Sequence, residues 1–275
     1  MNLDAYLRRI GLDSRPPPSL AGLRALHRAH LLAVPYENID VQLGRPVTIE
    51  RPASFDKIVT GGRGGWCFEM NGILGWALGE LGFRVTRATG AVGRATMGDA
   101  SLGNHLVLRV DLDEGVYLAD VGFGDGPIEP FPVRAGVLEA DGFAFAVERA
   151  DGEWWRLHNH PNGGARSFDF HLAPADESLL AAKCDFLRTS PTSPFVQNVV
   201  AQRYTRTGLT ILRGRTLRHL TPVASRERLI ADEADFLDVL REEFALDLPE
   251  AASLWPRIVA RHEVVMAERA AAPNP

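Results

Sequence analysis

The sequence predicts an α+β fold, because helical and strand-like hydrophobic periodicities occupy separate stretches of the chain. Apolar residues recur at helical spacing through roughly the first 85 residues. From residue 83 to about residue 170 the period becomes strand-like, and Gly and Asp residues separate the runs. The remaining residues mix both periods. We therefore expect a helical N-terminal part, a strand-rich centre and a mixed C-terminal part.

Four helices are predicted in the N-terminal part. The first stops at Gly11, a plausible C-terminal cap, and the second covers residues 20–34. The third is expected to begin near Ser54, which has the side chain of a good N-cap. The fourth begins at Cys67 and ends at Gly82, with its apolar residues on one face.

Later elements follow the same reasoning. Strands are expected at residues 83–91, 104–112, 116–121, 144–149, 196–204 and 209–212. Helices are expected at residues 176–187 and 232–244 and near the C-terminus, whereas residues 272–275 are expected to be disordered.

Composition narrows the class of protein. Hydrophobic residues make up 45% and charged residues 24% of the chain, which is typical of a soluble globular protein. The net charge of -5 and the absence of a Lys/Arg block argue against a nucleic-acid partner. No apolar run approaches the roughly 18 residues that span a bilayer, and the N-terminus lacks the apolar core of a signal peptide. We expect a cytoplasmic protein with no membrane partner.

Cys67 is the better placed of the two cysteines, and both are expected to be free thiols. A thiol at a helix N-terminus meets the positive end of the helix dipole, which favours the thiolate. The glycines before Cys67 leave backbone N–H groups available to an oxyanion. The alternative is a buried, inert cysteine. Cys184 lies inside a predicted helix, and we expect it to be structural.

A nucleophilic cysteine needs a base, and the base needs an orienting group. His105 opens one predicted strand and Asp120 closes the next, with a hairpin turn at residues 113–115 between them. A loop with an even number of residues puts both side chains on one sheet face, about 5–8 Å apart. A three-residue loop puts them on opposite faces. The sequence leaves the register open at this point.

Other polar residues allow two interpretations. Glu69 and Asn71 follow Cys67 on the helix and could either support the site through hydrogen bonds or lie on a solvated face. His158 and His160 could suggest a metal site, but no third ligand is near them in the sequence. We expect no metal.

Five segments together resemble the arylamine N-acetyltransferase family. The longest is Arg-Gly-Gly-Trp-Cys-Phe-Glu-Met-Asn-Gly at residues 63–72, similar to the signature around the cysteine of that family. The histidine and aspartate segments match residues 104–106 and 120–124 in the right order. Residues 34–38 and 189–195 resemble two further segments, with Tyr replacing Phe in the first of them.

The resemblance implies a three-part architecture with a core like that of papain-type proteases and transglutaminases. Residues 1–85 would form a helical bundle with the nucleophilic Cys. Residues 86–190 would form a central antiparallel β domain with the His and the Asp. Residues 191–275 would form an α/β lid.

The resemblance also implies a function and a set of site residues. Acetyl-CoA would acylate Cys67, with His105 and Asp120 as the other catalytic residues, and an arylamine, arylhydrazine or N-hydroxyarylamine would then accept the acetyl group in a ping-pong reaction. Substrate-binding residues would be Tyr36, Phe123 and Phe195. Residues assigned to the coenzyme are Gly103, Gly122 and Gly124.

Two alternatives remain. The same scaffold could serve a cysteine hydrolase or an amide synthase, which would pass the acyl group to water or to an intramolecular amine. A binding module without activity is the third possibility, and the presence of all three residue types of the triad argues against it. The preferred amine, the acyl length and the oligomeric state do not follow from the sequence.

Overall fold

The computed structural model describes residues 1–271, in which helices pack against two antiparallel sheets. The predicted tail at residues 272–275 lies outside the described residues. The N-terminal helices are α1 Leu3–Arg9, α2 Leu20–Ala33, α3 Ile39–Gln42, α4 Arg51–Phe55 and α5 Cys67–Glu80. As predicted, α1 is followed by Gly11 with a positive φ of 76°.

The predicted start of the third helix is wrong. Helix α4 begins at Arg51 rather than after Ser54, because Pro52 favours the first turn of a helix. The Ser54 hydroxyl donates to the carbonyl of Glu50, 3.0 Å away, and so bonds backwards instead of capping. A π-helical turn, Asp56–Thr60, extends α4.

The central sheet has eight strands in the order β5-β4-β3-β2-β9-β8-β7-β6. Their bounds are β2 Arg84–Val92, β3 His105–Leu112, β4 Gly115–Ala119, β5 Phe131–Pro132, β6 Gly136–Ala140, β7 Phe143–Arg149, β8 Trp155–His158 and β9 Ser167–Pro174. Helix α6, Arg94–Met97, and the 3-10 turn Gly98–Ser101 connect β2 to β3, and helix α7, Glu177–Thr189, follows β9.

The hairpin between β3 and β4 resolves the register that the sequence left open. Leu112 pairs with Gly115 and Leu108 pairs with Ala119, so the loop between the strands has two residues. The loop is therefore of the even kind, which puts His105 and Asp120 on the same face.

The second sheet has five strands in the order β1-β10-β11-β12-β13. These are β1 Tyr36–Glu37, β10 Val200–Tyr204, β11 Leu209–Arg213, β12 Thr216–Leu220 and β13 Ser225–Leu229. They are accompanied by helices α8 Pro194–Gln197, α9 Glu233–Phe244 and α10 Trp255–Ala271, and by the 3-10 turn Pro249–Leu254.

Two expectations for this C-terminal part need correction. Residues 196 and 197 are helical rather than extended, because Ser193 caps α8 and Pro194 occupies its first turn. The sequence analysis also missed β12 and β13. Strand β13 is exposed along its whole length, so it carries no alternation of apolar and polar residues.

Two hydrophobic cores hold the elements together. The larger joins the N-terminal helices to the central sheet, as where Leu74 of α5 and Leu108 of β3 are both fully buried. The smaller lies between the second sheet and α9, and it includes Leu212 and Phe236. Ile39 belongs to this second core although it comes from the N-terminal part. The three-domain division stays a prediction. Within residues 1–271, no helix has the length and apolarity needed to cross a bilayer.

We predict that Phe236→Ala destabilises the protein by about 3–5 kcal/mol, because it leaves a cavity in the second core. Phe236 is fully buried, whereas Val223 is 94% exposed. Val223→Ala is the matched control and should change the free energy of unfolding by less than about 0.5 kcal/mol. Urea unfolding measures both values. A loss at Phe236 no larger than that at Val223 would contradict the packing described here.

Candidate active site

Cys67 is the first residue of α5, as the sequence predicted, and only 3% of it is exposed. Its Sγ lies 4.0 Å from the carbonyl oxygen of Asn104, which precedes β3. The thiol therefore combines a helix N-terminus with the edge of the central sheet. Cys184 is also an unbonded, buried cysteine, but burial raises the pKa of its thiol to about 12. Such a thiol is inert at neutral pH.

Close backbone approach explains two of the glycines around Cys67. A Cβ on Gly64 would lie 2.1 Å from the carbonyl oxygen of Pro35, and a Cβ on Gly122 would lie 2.5 Å from the Cα of Cys67. Real Cβ atoms do not come so close to backbone, so larger residues would push the segments apart. Gly122 thus lets the segment after β4 lie directly against the start of α5.

The Asp120 carboxylate joins the cysteine helix to the sheet through three hydrogen bonds. Its Oδ2 lies 2.7 Å from Nε2 of His105. Its Oδ1 accepts from Nδ2 of Asn71 at 2.7 Å and from the backbone N–H of Gly122 at 2.8 Å. Asn71 also donates to the carbonyl of Leu106 and accepts from the N–H of Val121. Asn71 is therefore a buried support of the site and not part of a solvated face.

The electrostatics favour an ion pair at His105. Burial disfavours the imidazolium, but the Asp120 carboxylate and the adjacent Cys67 sulfur outweigh it and raise the pKa of His105 to about 10. Burial also pushes the pKa of Asp120 upward, yet His105, Asn71 and the Gly122 N–H hold it below its ordinary value. At neutral pH, Cys67 therefore faces a protonated imidazole. This is the setting in which a thiolate is stabilised.

His27 of α2 also supports Asp120, through its backbone, and the sequence analysis missed it. Its Nε2 accepts the backbone N–H of Asp120 at 3.1 Å, and its Nδ1 lies 2.9 Å from the carbonyl oxygen of Ile128. Burial lowers the pKa of His27 to about 4, so the ring is neutral and can accept one bond while donating the other. The only sequence signal was a histidine among the apolar positions of a helix.

A buried cluster of ion pairs fixes the loop before Cys67. Lys57 Nζ lies 2.9 Å from Glu69 and 3.0 Å from Asp40, and Arg63 lies 2.7 Å from Glu37. Glu69 also accepts the backbone N–H of Trp66. We call Glu37, Asp40, Lys57, Arg63 and Glu69 the ion cluster. It connects residues 37–40 to residues 57–69. Glu69 is therefore buried and does not lie on a solvated helix face.

A cavity of about 530 Å³ opens above Cys67 and His105. The three aromatic residues expected to bind substrate, Tyr36, Phe123 and Phe195, all line it. Phe195 also packs edge-on against Trp66, with ring centroids 5.3 Å apart. Most of the lining is apolar, which suits a flat aromatic ligand.

The three glycines assigned to the coenzyme lie in different surroundings. Gly122 lines the cavity. Gly103 has a φ of 75°, and a Cβ there would lie 2.8 Å from the Leu179 side chain. Gly124 has a φ of 93°, and a Cβ there would lie 1.7 Å from the Gln202 side chain. Backbone conformation and close packing therefore account for glycine at both positions. A contact of these residues with coenzyme stays a prediction.

His158 and His160, which the sequence analysis considered as metal ligands, have different contacts in the structure. His158 Nε2 lies 2.8 Å from Glu148, whereas the His160 ring packs 4.6 Å from that of Phe143. The two side chains therefore have different partners, a carboxylate for His158 and an aromatic ring for His160.

Comparison with known proteins gives a consistent result. A family model described as N-acetyltransferase matches residues 19–253. The arylamine N-acetyltransferase of Mycolicibacterium smegmatis is 36% identical over 267 residues, which cover 92% of this chain and 94% of that protein.

Solved structures are similar in fold. The M. smegmatis arylamine N-acetyltransferase structure has a TM-score of 0.85 at 34% identity, covering 94% of this chain and 98% of the other. The Mycobacterium marinum arylamine N-acetyltransferase in complex with CoA has a TM-score of 0.84 at 30% identity, with the same coverage.

We predict that Asp120→Asn slows the alkylation of Cys67 by iodoacetamide about tenfold or more near pH 6. In the parent, His105 stays protonated up to about pH 10. Loss of the carboxylate lowers the pKa of His105, so the imidazole deprotonates at a lower pH than in the parent. The thiolate then loses the positive charge that stabilises it. The alkylation rate should recover only as the pH approaches the pKa of an ordinary thiol, about 8.5.

Asp125→Asn is the matched control, because Asp125 is buried in the same cavity but accepts from Gly164 and Asn159 rather than from His105. Far-UV circular dichroism checks that both variants fold. A folded Asp120→Asn variant with the parent's rate–pH profile would show that Asp120 does not act on His105.

Proposed function

Because the chain belongs to the arylamine N-acetyltransferase family, we propose that it moves an acetyl group from acetyl-CoA to an arylamine, an arylhydrazine or an N-hydroxyarylamine. Cys67, His105 and Asp120 form the catalytic triad of this proposal. The observation that carries it is the buried His105–Asp120 pair, joined at 2.7 Å, beside a cysteine that begins a helix. Cys67 and His105 both line an apolar cavity.

In the first half-reaction the Cys67 thiolate attacks the carbonyl carbon of the acetyl thioester. The bond between that carbon and the coenzyme sulfur breaks, and the departing thiolate takes a proton from the His105 imidazolium. The result is acetyl-Cys67, free coenzyme A and a neutral imidazole. Asp120 orients the ring throughout and stabilises its protonated form.

In the second half-reaction the amine nitrogen attacks the carbonyl carbon of acetyl-Cys67. His105, now neutral, accepts the proton that the nitrogen gives up, and the bond from carbon to Cys67 Sγ breaks. The thiolate–imidazolium pair is thereby restored. One acetyl group has passed from sulfur to nitrogen, with no net change in the enzyme.

The cavity supports an aromatic acceptor. Tyr36, Phe123 and Phe195 line it, and aromatic pairs contribute about 0.5–1.5 kcal/mol beyond simple burial. Burial and the nearby Cys67 sulfur raise the pKa of Tyr36 well above its ordinary value, so its phenol stays neutral. A neutral amine therefore meets no additional negative charge from this ring.

Transfer to an amine is favoured over hydrolysis of the acyl-enzyme, because the similar proteins are named as transferases. A cytoplasmic location stays a prediction.

We predict that acetyl-CoA adds one acetyl group to Cys67 and none to Cys184. The physical reason is that Cys67 faces an imidazolium, whereas burial raises the pKa of Cys184 to about 12. Intact mass spectrometry and peptide mapping locate the adduct. An arylamine should remove it and yield the amide.

Cys67→Ala is the negative control and Cys184→Ala should behave like the parent. An adduct on Cys184, or none on either cysteine, would refute the mechanism. Loss of the adduct at the same rate with and without an amine would identify a hydrolase.

We predict that Phe195→Ala lowers kcat/KM for an arylamine about tenfold while acetylation of Cys67 changes little. The reason is that the Phe195 ring lines the cavity, whereas its backbone carbonyl makes the structural bond to Asn38. The substitution keeps that carbonyl. Single-turnover measurements separate the two half-reactions, and equal losses in both would show that the ring supports the fold instead.

A further inference from the structure

Attack on a thioester needs hydrogen-bond donors beside Cys67, because negative charge develops on the carbonyl oxygen. The sequence analysis expected the glycines before Cys67 to supply these donors through their backbone N–H groups. That expectation is wrong for Gly65, whose N–H donates to the carbonyl of Pro35 at 3.2 Å. The N–H of Trp66 donates to the Glu69 carboxylate, also at 3.2 Å. Neither group is therefore available to an oxyanion.

The segment after β4 uses its backbone donors in the same way. The N–H groups of Asp120, Val121 and Gly122 donate to the His27 ring, to the Asn71 side chain and to the Asp120 carboxylate. Because these bonds hold the triad together, the three N–H groups are not available to a developing oxyanion either.

Two polar side chains of the cavity wall also have partners within the protein. The Asn104 amide donates to the carbonyl of Val92 at 3.0 Å and accepts from its N–H at 2.8 Å. The Ser101 hydroxyl donates to the carbonyl of Gly98 at 2.7 Å. Both side chains therefore serve the backbone of the wall.

Tyr36 differs from these groups, because its hydroxyl has no partner. The hydroxyls of Tyr6 and Tyr204 each make a hydrogen bond, whereas that of Tyr36 makes none within residues 1–271. The Tyr36 side chain is only 7% exposed, and it lines the catalytic cavity. Its hydroxyl oxygen is not fully enclosed by protein, so it is open to the cavity.

Backbone pairing holds Tyr36 beside the nucleophile. The N–H of Gly65 donates to the residue before Tyr36, and the N–H of Glu37, the residue after it, donates to the carbonyl of Gly65 at 2.9 Å. These two bonds form a parallel bridge between Tyr36 and Gly65. Tyr36 is therefore held against the chain two residues before Cys67.

We propose that the Tyr36 hydroxyl donates a hydrogen bond to the acyl oxygen at Cys67 and so stabilises the oxyanion of both half-reactions. The proposal rests on the proposed function, and it makes Tyr36 a catalytic residue in addition to its expected contact with the acceptor.

The bond changes define when this donor acts. As the Cys67 thiolate attacks, the bond from sulfur to carbon forms and the π electrons of the carbonyl move onto its oxygen. Tyr36 donates a hydrogen bond to that oxygen and keeps its proton. The C=O bond then re-forms, the bond to the coenzyme sulfur breaks, and the departing thiolate takes its proton from His105. The same oxygen becomes negative again when the amine attacks acetyl-Cys67.

The charges of the site favour a neutral donor at this position. Burial, and after it the charge of the nearby Cys67 sulfur, raises the pKa of Tyr36 well above its ordinary value. The phenol therefore stays protonated and remains a donor throughout the reaction. It also adds no charge that would disturb the thiolate–imidazolium pair.

The test compares Tyr36→Phe with the parent in single-turnover acetylation of Cys67 by acetyl-CoA and by p-nitrophenyl acetate. Loss of the hydroxyl should slow both acetylations, and the later transfer to an arylamine, by about tenfold or more, since each step passes through an oxyanion. Alkylation of Cys67 by iodoacetamide forms no oxyanion and should keep the parent's rate. The urea midpoint should not fall, because the hydroxyl makes no bond within residues 1–271.

Two further variants serve as controls. Tyr6→Phe removes another buried hydroxyl, which bonds to His30 at 3.0 Å and does not line the cavity. It should lower stability without slowing acetylation. Gln202→Leu removes the amide that pairs with Tyr36 across the sheet and also lines the cavity. It should slow acetylation less than Tyr36→Phe does.

Unchanged acetylation in Tyr36→Phe overturns the proposal, and so does a larger loss in Gln202→Leu. A loss confined to transfer to the amine would make Tyr36 an acceptor-binding residue only. An equal loss in alkylation would mean that Tyr36 acts on the thiolate. Either result also overturns the proposal. Failure of the proposed function is seen separately, as a parent that p-nitrophenyl acetate acetylates but acetyl-CoA does not.

Discussion

The Asp120 carboxylate has to stay charged although it is buried, and much of the site follows from how that is achieved. An unpaired buried ion costs several kcal/mol. Three hydrogen bonds, from His105, Asn71 and the Gly122 N–H, offset that cost, since bonds to a charged group are worth about 1.5–3 kcal/mol each. Their donors come from β3, from α5 and from the segment after β4. The carboxylate therefore fixes the position of the cysteine helix relative to the sheet, as well as the orientation of the imidazole.

This arrangement needs the backbone to approach closely on both sides of Cys67. Gly122 allows the segment after β4 to touch the start of α5, and Gly64 allows the loop before Cys67 to touch Pro35. The ion cluster holds that loop, because Glu69 binds both Lys57 and the Trp66 N–H. Replacing one member would leave a buried charge unpaired, which is more damaging than the loss of a surface ion pair. The cluster thus acts on the cysteine by fixing the backbone just before it.

Local signals in the sequence were enough to predict the cysteine helix and the candidate residues of the triad. The start of α5 at Cys67 followed from helical periodicity, and the candidates His105 and Asp120 followed from their places at strand ends. Their common face depended on the length of one loop, which periodicity does not determine. The support from His27 could not be predicted, because it joins groups 93 residues apart through a neutral ring. The helix start predicted near Ser54 was wrong because a serine hydroxyl can either cap a helix or bond to the carbonyl four residues earlier. Pro52 favours a helix that starts before Ser54, and the hydroxyl then makes the second kind of bond.

The apolar lining of the catalytic cavity acts on both the acceptor and the catalytic ion pair. The catalytic cavity is mostly apolar, so a neutral aromatic amine loses little solvation there, and the thiolate–imidazolium pair is screened less than it would be in water. Removing water from that pair also strengthens the attraction of the Asp120 carboxylate for the imidazolium. The net charge of -5 has little effect on this pair, because salt screens charges beyond about 8 Å at physiological ionic strength. The groups that act directly on His105 therefore determine its charge, rather than the average charge of the chain.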